Sequence, residues 1–399
     1  MFDPAIYRDR RNRLKKDVGS GLILLLGNDE VGMNYAANTY HFRQDSTFLY
    51  FFAVDLPGLA ALIDVDRNTE TLFGDDLTVA DIVWTGPQPT IADQAKAGAV
   101  GATAPMAELG QRVADAVAQG RRVHFLKPYR AEHTLKLTAL IGLKPTIVAS
   151  YRSEPLHKAV VAQRNVKSAA EVEEIEQAIG VSRQMYLTAM AAARPGKHEY
   201  EVVAEIMRVA KANGCDLSFP IICSVHGETL HNHNHANLMQ QGDVMVLDSG
   251  VETPTKYASD ITRTIPVGGT FTPQQRQIYE MVLRAQLAAI KAIKPGVQYR
   301  DVHLLAARSF TLGAVRLTDR FFPGGEPWEA DSMRLAQTIA DGSGYPYPPL
   351  DTGCVYTGTL ADYAVSEGAP AVDMELTNHR DTDFEINVVV LDVFLNWIR

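Results

Sequence analysis

The sequence predicts an α/β domain followed by an α+β domain. Three observations carry this. The first 158 residues alternate short apolar runs rich in β-formers with helical patterns. A long amphipathic pattern starts at Ser168 and stops at Arg194-Pro195-Gly196. A helix–turn–helix unit then recurs one hundred residues later, with strand-rich sequence between its copies. A chain of 399 residues is too long for one core and predicts two or three domains.

In chain order, GLILLLGN, FLYFFAV, GLAALIDV and VHFLKP read as strands of the first domain, bounded by Gly, Asp or Pro. LILLL at 22–26 is far too short to span a bilayer and reads as a buried strand. MAELGQRVADAVAQG reads as a helix. Trp84, in DIVWTGPQP, is expected to pack in the core or a loop, with a pocket wall as the alternative. Ser168 and Glu171 have capping-box spacing, so a helix should start there. Pro195-Gly196 ends that helix, and another is expected from about Tyr200 to Asn213-Gly214.

AAARPGKHEYEVVAEI (191–206) resembles AAIKPGVQYRDVHLLA (288–303), which suggests a duplicated half-domain. LSFPIICSV, GDVMVLDSG and YASDITRTIPVGG, between the copies, read as strands. After Phe310 the character changes. FFPGGEP is a loop, EADSMRLAQTIADG a helix, AVDMELT a short strand and DTDFEINVVVLDVFLNW a terminal helix.

The net charge of −9, from 38 basic and 47 acidic residues, argues against nucleic acid and membrane as partners. The charged start MFDPAIYRDRRNRLKK has no apolar signal core. Three cysteines without C-x-x-C spacing (Cys215, Cys223 and Cys354) fit no disulfide framework, so the expected location is the cytoplasm.

Chemistry concentrates in LDSGVETPTKYASDITRT. Asp248 and Asp260 are equidistant from Pro254, and a ribbon turning there would set them opposite each other on one face. Two carboxylates so placed repel unless a cation lies between them. A pair of divalent ions about 3.5–4 Å apart would suit bridging carboxylates. Two solvated aspartates are the plainer alternative. In HGETLHNHNHAN, His231, His233 and His235 alternate, which fits either a zinc cluster or a polar His-rich rim. One histidine near a dimetal centre could stabilise a tetrahedral intermediate or help the leaving amine.

RNVKSAAEVEEIEQA, LHNHNHAN, GDVMVLDSG and YASDITRT together resemble a pita-bread metallopeptidase of the aminopeptidase P (Xaa-Pro aminopeptidase) type. RQDSTFLYFFAVDLPGLAALIDV resembles the creatinase-like N-terminal domain of that family. The resemblance covers about residues 1–310. It implies a creatinase-like domain over 1–158 and a truncated pita-bread catalytic domain over 159–312. It also implies a hydrolase that removes an N-terminal residue before proline, using two divalent ions, manganese with zinc as the alternative. By the same resemblance Asp248 would be a bidentate ligand, Asp260 a bridging ligand, His231 an active-site histidine and His235 a substrate-binding residue. A homodimer and a peptide with proline at its second position are the implied partners. The other three family ligands, a His and two Glu, find no match after Phe310. Gly324 stands where the family's Phe-Phe-Pro-His has its histidine.

The segment 313–399 resembles the end of a zinc carboxypeptidase. Tyr356 matches the tyrosine that closes on substrate, and Glu375 matches the general acid/base. No His-x-x-Glu zinc pair accompanies them. The reading is therefore an Xaa-Pro aminopeptidase-like metallohydrolase. A catalytically inactive chimera or binding protein is the alternative, and a zinc carboxypeptidase the third.

Overall fold

The computed structural model describes residues 1–309. The expected carboxypeptidase-like fragment, with Tyr356 and Glu375, lies outside them. The chain forms two units. One takes Met1–Gln184, Val209–Phe219 and Gly250–Asp260, and the other takes Met185–Arg208, Pro220–Ser249 and the described residues from Ile261 onward.

The first unit is built on a five-stranded mixed sheet. Its strands are β1 (Leu22–Leu26), β2 (Ala60–Asp64), β3 (Thr69–Phe73), β4 (Thr103–Ala104) and β5 (Val123–His124), ordered β4-β3-β2-β1-β5. β2 runs antiparallel to β1 and β3, while β5 and β4 pair parallel with β1 and β3. All five residues of β1 are buried. Side chains alternate across a strand, so Ile23 and Leu25 enter one apolar cluster while Leu22, Leu24 and Leu26 enter another. A strand covered on both faces reads as a continuous apolar run, which is why LILLL shows no alternation.

Four helices matter to the first unit: α1 (Pro4–Val18), α2 (Ser46–Phe52), α3 (Glu154–Asn165) and the start of α4 (Ala169–Ala192). Leu14, Phe51, Phe52, Leu156 and Val160 from the first three fill the core against Ile23 and Leu25. FLYFFAV, expected as a strand, is α2. The Asp45 carboxylate accepts the N–H groups of Thr47 and Phe48 and so caps a helix there. Ala53 closes it in the left-handed region at φ 60°. Because nearly every face of α2 is buried, its sequence carries no helical periodicity. α3 runs through the boundary expected at 158 and packs into this core. Trp84 is 88% exposed on the helix Val79–Thr85, so it packs neither in the core nor in a loop. α4 starts as its capping box dictates, with Ser168 N–H donating to Glu171 Oε2 and Glu171 N–H to Ser168 Oγ.

The second unit takes the rest of α4, most of α5 (Glu199–Ala212), and the strands β6 (Ile222–Ser224), β7 (Val244–Ser249) and β8 (Ile261–Pro266), followed by α6 (Pro273–Ala292). β7 lies between β8 and β6 and is antiparallel to both. The repeated Pro-Gly turns have the same local form. Gly196 and Gly296 take φ 84° and 88°, a left-handed conformation that glycine adopts without strain. Lys197 N–H donates to Arg194 O and Val297 N–H to Lys294 O. Glu201 N–H donates to His198 O and Asp301 N–H to Gln298 O. Helix follows each turn, α5 in the first copy and residues 299–309 in the second. Among the described residues no helix is long and apolar enough to cross a membrane.

Candidate functional site

β7 sets the geometry of the site. Met245, Leu247 and Ser249 are buried on one face, and Val246 and Asp248 are half-buried on the other. Pairing carries that second face sideways. Asp248 lies opposite Ile222 on β6 and Thr262 on β8, and Val246 lies opposite Ser224 and Thr264. Ser224, Val246, Asp248 and Thr262 line a cavity of about 240 Å³, together with Thr229 and His231 from the following loop.

The cross-strand partner of Asp248 is Thr262, so the expected facing of Asp248 and Asp260 is not what forms. The turn explains the shift. Thr253 and Tyr257 close a three-residue loop, with Thr253 N–H donating to Tyr257 O and Lys256 N–H to Thr253 O. Lys256 takes the left-handed conformation at φ 65°. A turn centred on Thr255 moves every pairing two residues from one centred on Pro254. Asp260 immediately precedes β8.

Asp248 Oδ1 is buried and, among the described residues, accepts no hydrogen bond. An unpartnered carboxylate oxygen of this kind suits a cation. Yet among the described residues no group of three or more His, Cys, Asp or Glu side chains is placed to hold a metal ion. Asp248 is thus a residue that could hold a cation, and the described residues do not by themselves make a metal centre.

The three alternating histidines do not form a cluster. His231 sits in a turn, exposed, at the cavity wall. His235 is half-buried, and its Nε2–H donates to the Ile221 carbonyl at 3.0 Å. His233 is exposed. Residues 232–237 belong to no helix or strand, and among the described residues the three histidines make no metal-holding group.

Two further residues shape this site, and neither carries a distinctive signal in the sequence. Glu199, fully buried in the first turn of α5, binds both ends of the His231 loop. Its Oε1 accepts Val225 N–H at 2.7 Å, and its two oxygens accept from Asn237 Nδ2 at 3.1 Å each. The only sequence signal was an acidic residue in a helix first turn, which reads equally as a solvated cap. Tyr186, from α4, accepts Ser249 N–H at 3.1 Å and bonds the Ile261 carbonyl, joining the ends of β7 and β8. Burial pushes its hydroxyl up to about 12. The Ser249 hydrogen bonds oppose that rise and the Asp248 charge adds to it. Cys223, on β6, is a buried thiol pushed up to about 12 by burial and is chemically quiet.

Residues 7–124 match the family model "Aminopeptidase P, N-terminal domain", and residues 173–325 match "Metallopeptidase family M24". The probable Xaa-Pro aminopeptidase of Chaetomium globosum is 28% identical over 321 residues, 78% of this chain and 52% of that protein. The probable Xaa-Pro aminopeptidase pepP of Emericella nidulans is 30% identical over 285 residues, 69% of this chain and 60% of that one. The chain therefore spans about half to three-fifths of the length of these curated relatives. Among solved structures, the aminopeptidase PepP of Pseudomonas aeruginosa superposes with a TM-score of 0.70 at 25% identity, covering 85% of this chain and 78% of that one. A variant of Escherichia coli aminopeptidase P in complex with substrate superposes with a TM-score of 0.70 at 24% identity, covering 79% and 74%, a likeness of fold. The chain thus carries a segment matching the aminopeptidase P N-terminal domain followed by one matching metallopeptidase family M24, and along both it is similar to Xaa-Pro aminopeptidases.

Proposed function

We propose that this protein is a metal-dependent aminopeptidase that removes the residue preceding a penultimate proline. One observation carries the reading: Asp248, whose Oδ1 is buried and accepts no hydrogen bond among the described residues, lines the same cavity as His231, within the segment that matches the metallopeptidase family. Asp248 and Asp260 are the proposed metal ligands, and two manganese ions are the proposed cofactor. A bound divalent ion would supply Lewis acidity and an activated water. His231, exposed at the cavity wall, is the group available to hydrogen-bond the peptide there. His235, spent on the Ile221 carbonyl, acts by holding the chain behind it.

The test uses the full chain with manganese. Gly-Pro-Ala should release glycine, and Gly-Ala-Ala should not. Asp248→Asn and the double replacement of Asp248 and Asp260 by alanine should each lose both turnover and the heat of manganese binding. Absence of glycine release at saturating manganese, together with equal heats for the wild type and the double variant, would end the proposal.

A further inference from the structure

A second and larger cavity, about 560 Å³, lies wholly in the first unit. It is lined by residues from α1, α2, α3 and the start of α4, with the turn at 255–258. That volume is in the usual range for small-molecule sites. Its walls mix apolar and aromatic side chains, Phe2, Leu49, Tyr50, Val160 and Ile175 among them, with charged and polar ones.

The charges around it are mostly spent within the protein. The Arg10 guanidinium lies 3.8 Å from the centre of the Tyr50 ring, pairs with Glu171 at 3.0 Å and donates to the Tyr50 carbonyl. Tyr257 donates to the same Glu171 oxygen at 2.8 Å. Burial opposes ionisation of Glu171, but the Ser168 N–H, the Tyr257 hydroxyl and Arg10 outweigh it and hold the carboxyl below its usual range. Arg43 pairs with Glu252 at 3.0 Å, and Lys256 lies among Asp55, Asp216 and Glu252.

Arg164 is different. It is half-buried, its Nη1 donates to Thr47 Oγ1 at 3.0 Å, and its guanidinium stands 5.9 Å from the Tyr50 ring centre. Among the described residues it pairs with no carboxylate, and Lys167 adds a second positive charge at the same cavity. The guanidinium's remaining N–H groups form a planar fork that matches a carboxylate with two parallel bonds.

We propose that this cavity binds a small aromatic carboxylate, its acid group on the Arg164 fork and its ring against Tyr50 and the neighbouring apolar wall. The site is separate from the proposed peptidase cavity and does not depend on that activity.

The probe is 3-phenylpropionate, titrated calorimetrically into the full chain without added metal. It should bind, and Arg164→Gln should weaken it at least about tenfold. Arg164→Lys, which keeps the charge and loses the fork, should fall between them. 3-Phenylpropan-1-ol, which lacks the charge, and inorganic phosphate, which lacks the ring, should each bind at least about tenfold more weakly. Binding should persist unchanged in Asp248→Asn, so that failure of the peptidase proposal leaves this one standing. No binding to the wild type, equal binding to Arg164→Gln, or loss of binding in Asp248→Asn would each overturn it. If Arg164→Gln does not fold by circular dichroism, Arg164→Lys decides, and wild-type affinity there would also overturn it.

Discussion

Replacing Glu199 by alanine should unfasten the loop that carries His231. The buried carboxylate accepts Val225 N–H at 2.7 Å at one end of that loop and Asn237 Nδ2 at 3.1 Å at the other. Hydrogen bonds to a charged group contribute about 1.5–3 kcal/mol each, so these two represent about 3–6 kcal/mol. Removing the carboxylate also relieves its desolvation, which offsets part of that sum. The net expected loss is about 3 kcal/mol, and the two donors are left without the acceptor that ties the loop down. Glu199→Gln keeps the shape and one acceptor but turns an NH₂ toward N–H donors, and should cost about 1–2 kcal/mol. Urea denaturation at constant slope gives the stabilities, and hydrogen exchange at the Val225 amide reads the loop directly. A Glu199→Ala protein within about 1 kcal/mol of the wild type, with Val225 still protected, would refute the reasoning.

Two other outcomes follow from the same geometry. The folded Tyr186 keeps its proton up to about 12 against 10.0 for a free tyrosine, so the folded chain binds that proton more tightly. Its contribution is whole below about pH 10 and is drawn down by about 2–3 kcal/mol as pH rises toward about 12. Tyr186→Phe should therefore lose less stability than the wild type between about pH 9 and about pH 11.5, and parallel curves would contradict this. At Gly250, an added Cβ would lie 1.9 Å from the Ser259 carbonyl oxygen and 2.5 Å from Ser218 Oγ. Gly250→Ala should cost about 3 kcal/mol or more, and a thermal midpoint near that of the wild type would show that the backbone yields there.

Much of the architecture was legible because its signals are local. Ser168 and Glu171 cap α4 through bonds spanning three residues. The Pro-Gly turns fold alike in both copies because each needs the same left-handed glycine. FLYFFAV reads as a strand because a helix buried on nearly every face carries no periodicity to distinguish the two. The histidine alternation fits either a cluster or a polar rim, and spacing cannot choose between them, because the packing that places His235 against the Ile221 carbonyl and leaves His231 and His233 exposed is tertiary.

The sequence by itself determined the start and stop of the long helices and the form of the Pro-Gly turns, since each rests on contacts between near neighbours in the chain. The tertiary structure alone decided that Asp248 faces Thr262, that its Oδ1 is buried, and that Glu199 and Tyr186 hold the surrounding loop and strands. A turn recentred by one residue moves a whole register by two, and a carboxylate's partners can lie dozens of residues away. Neither is written in the spacing of the residues themselves.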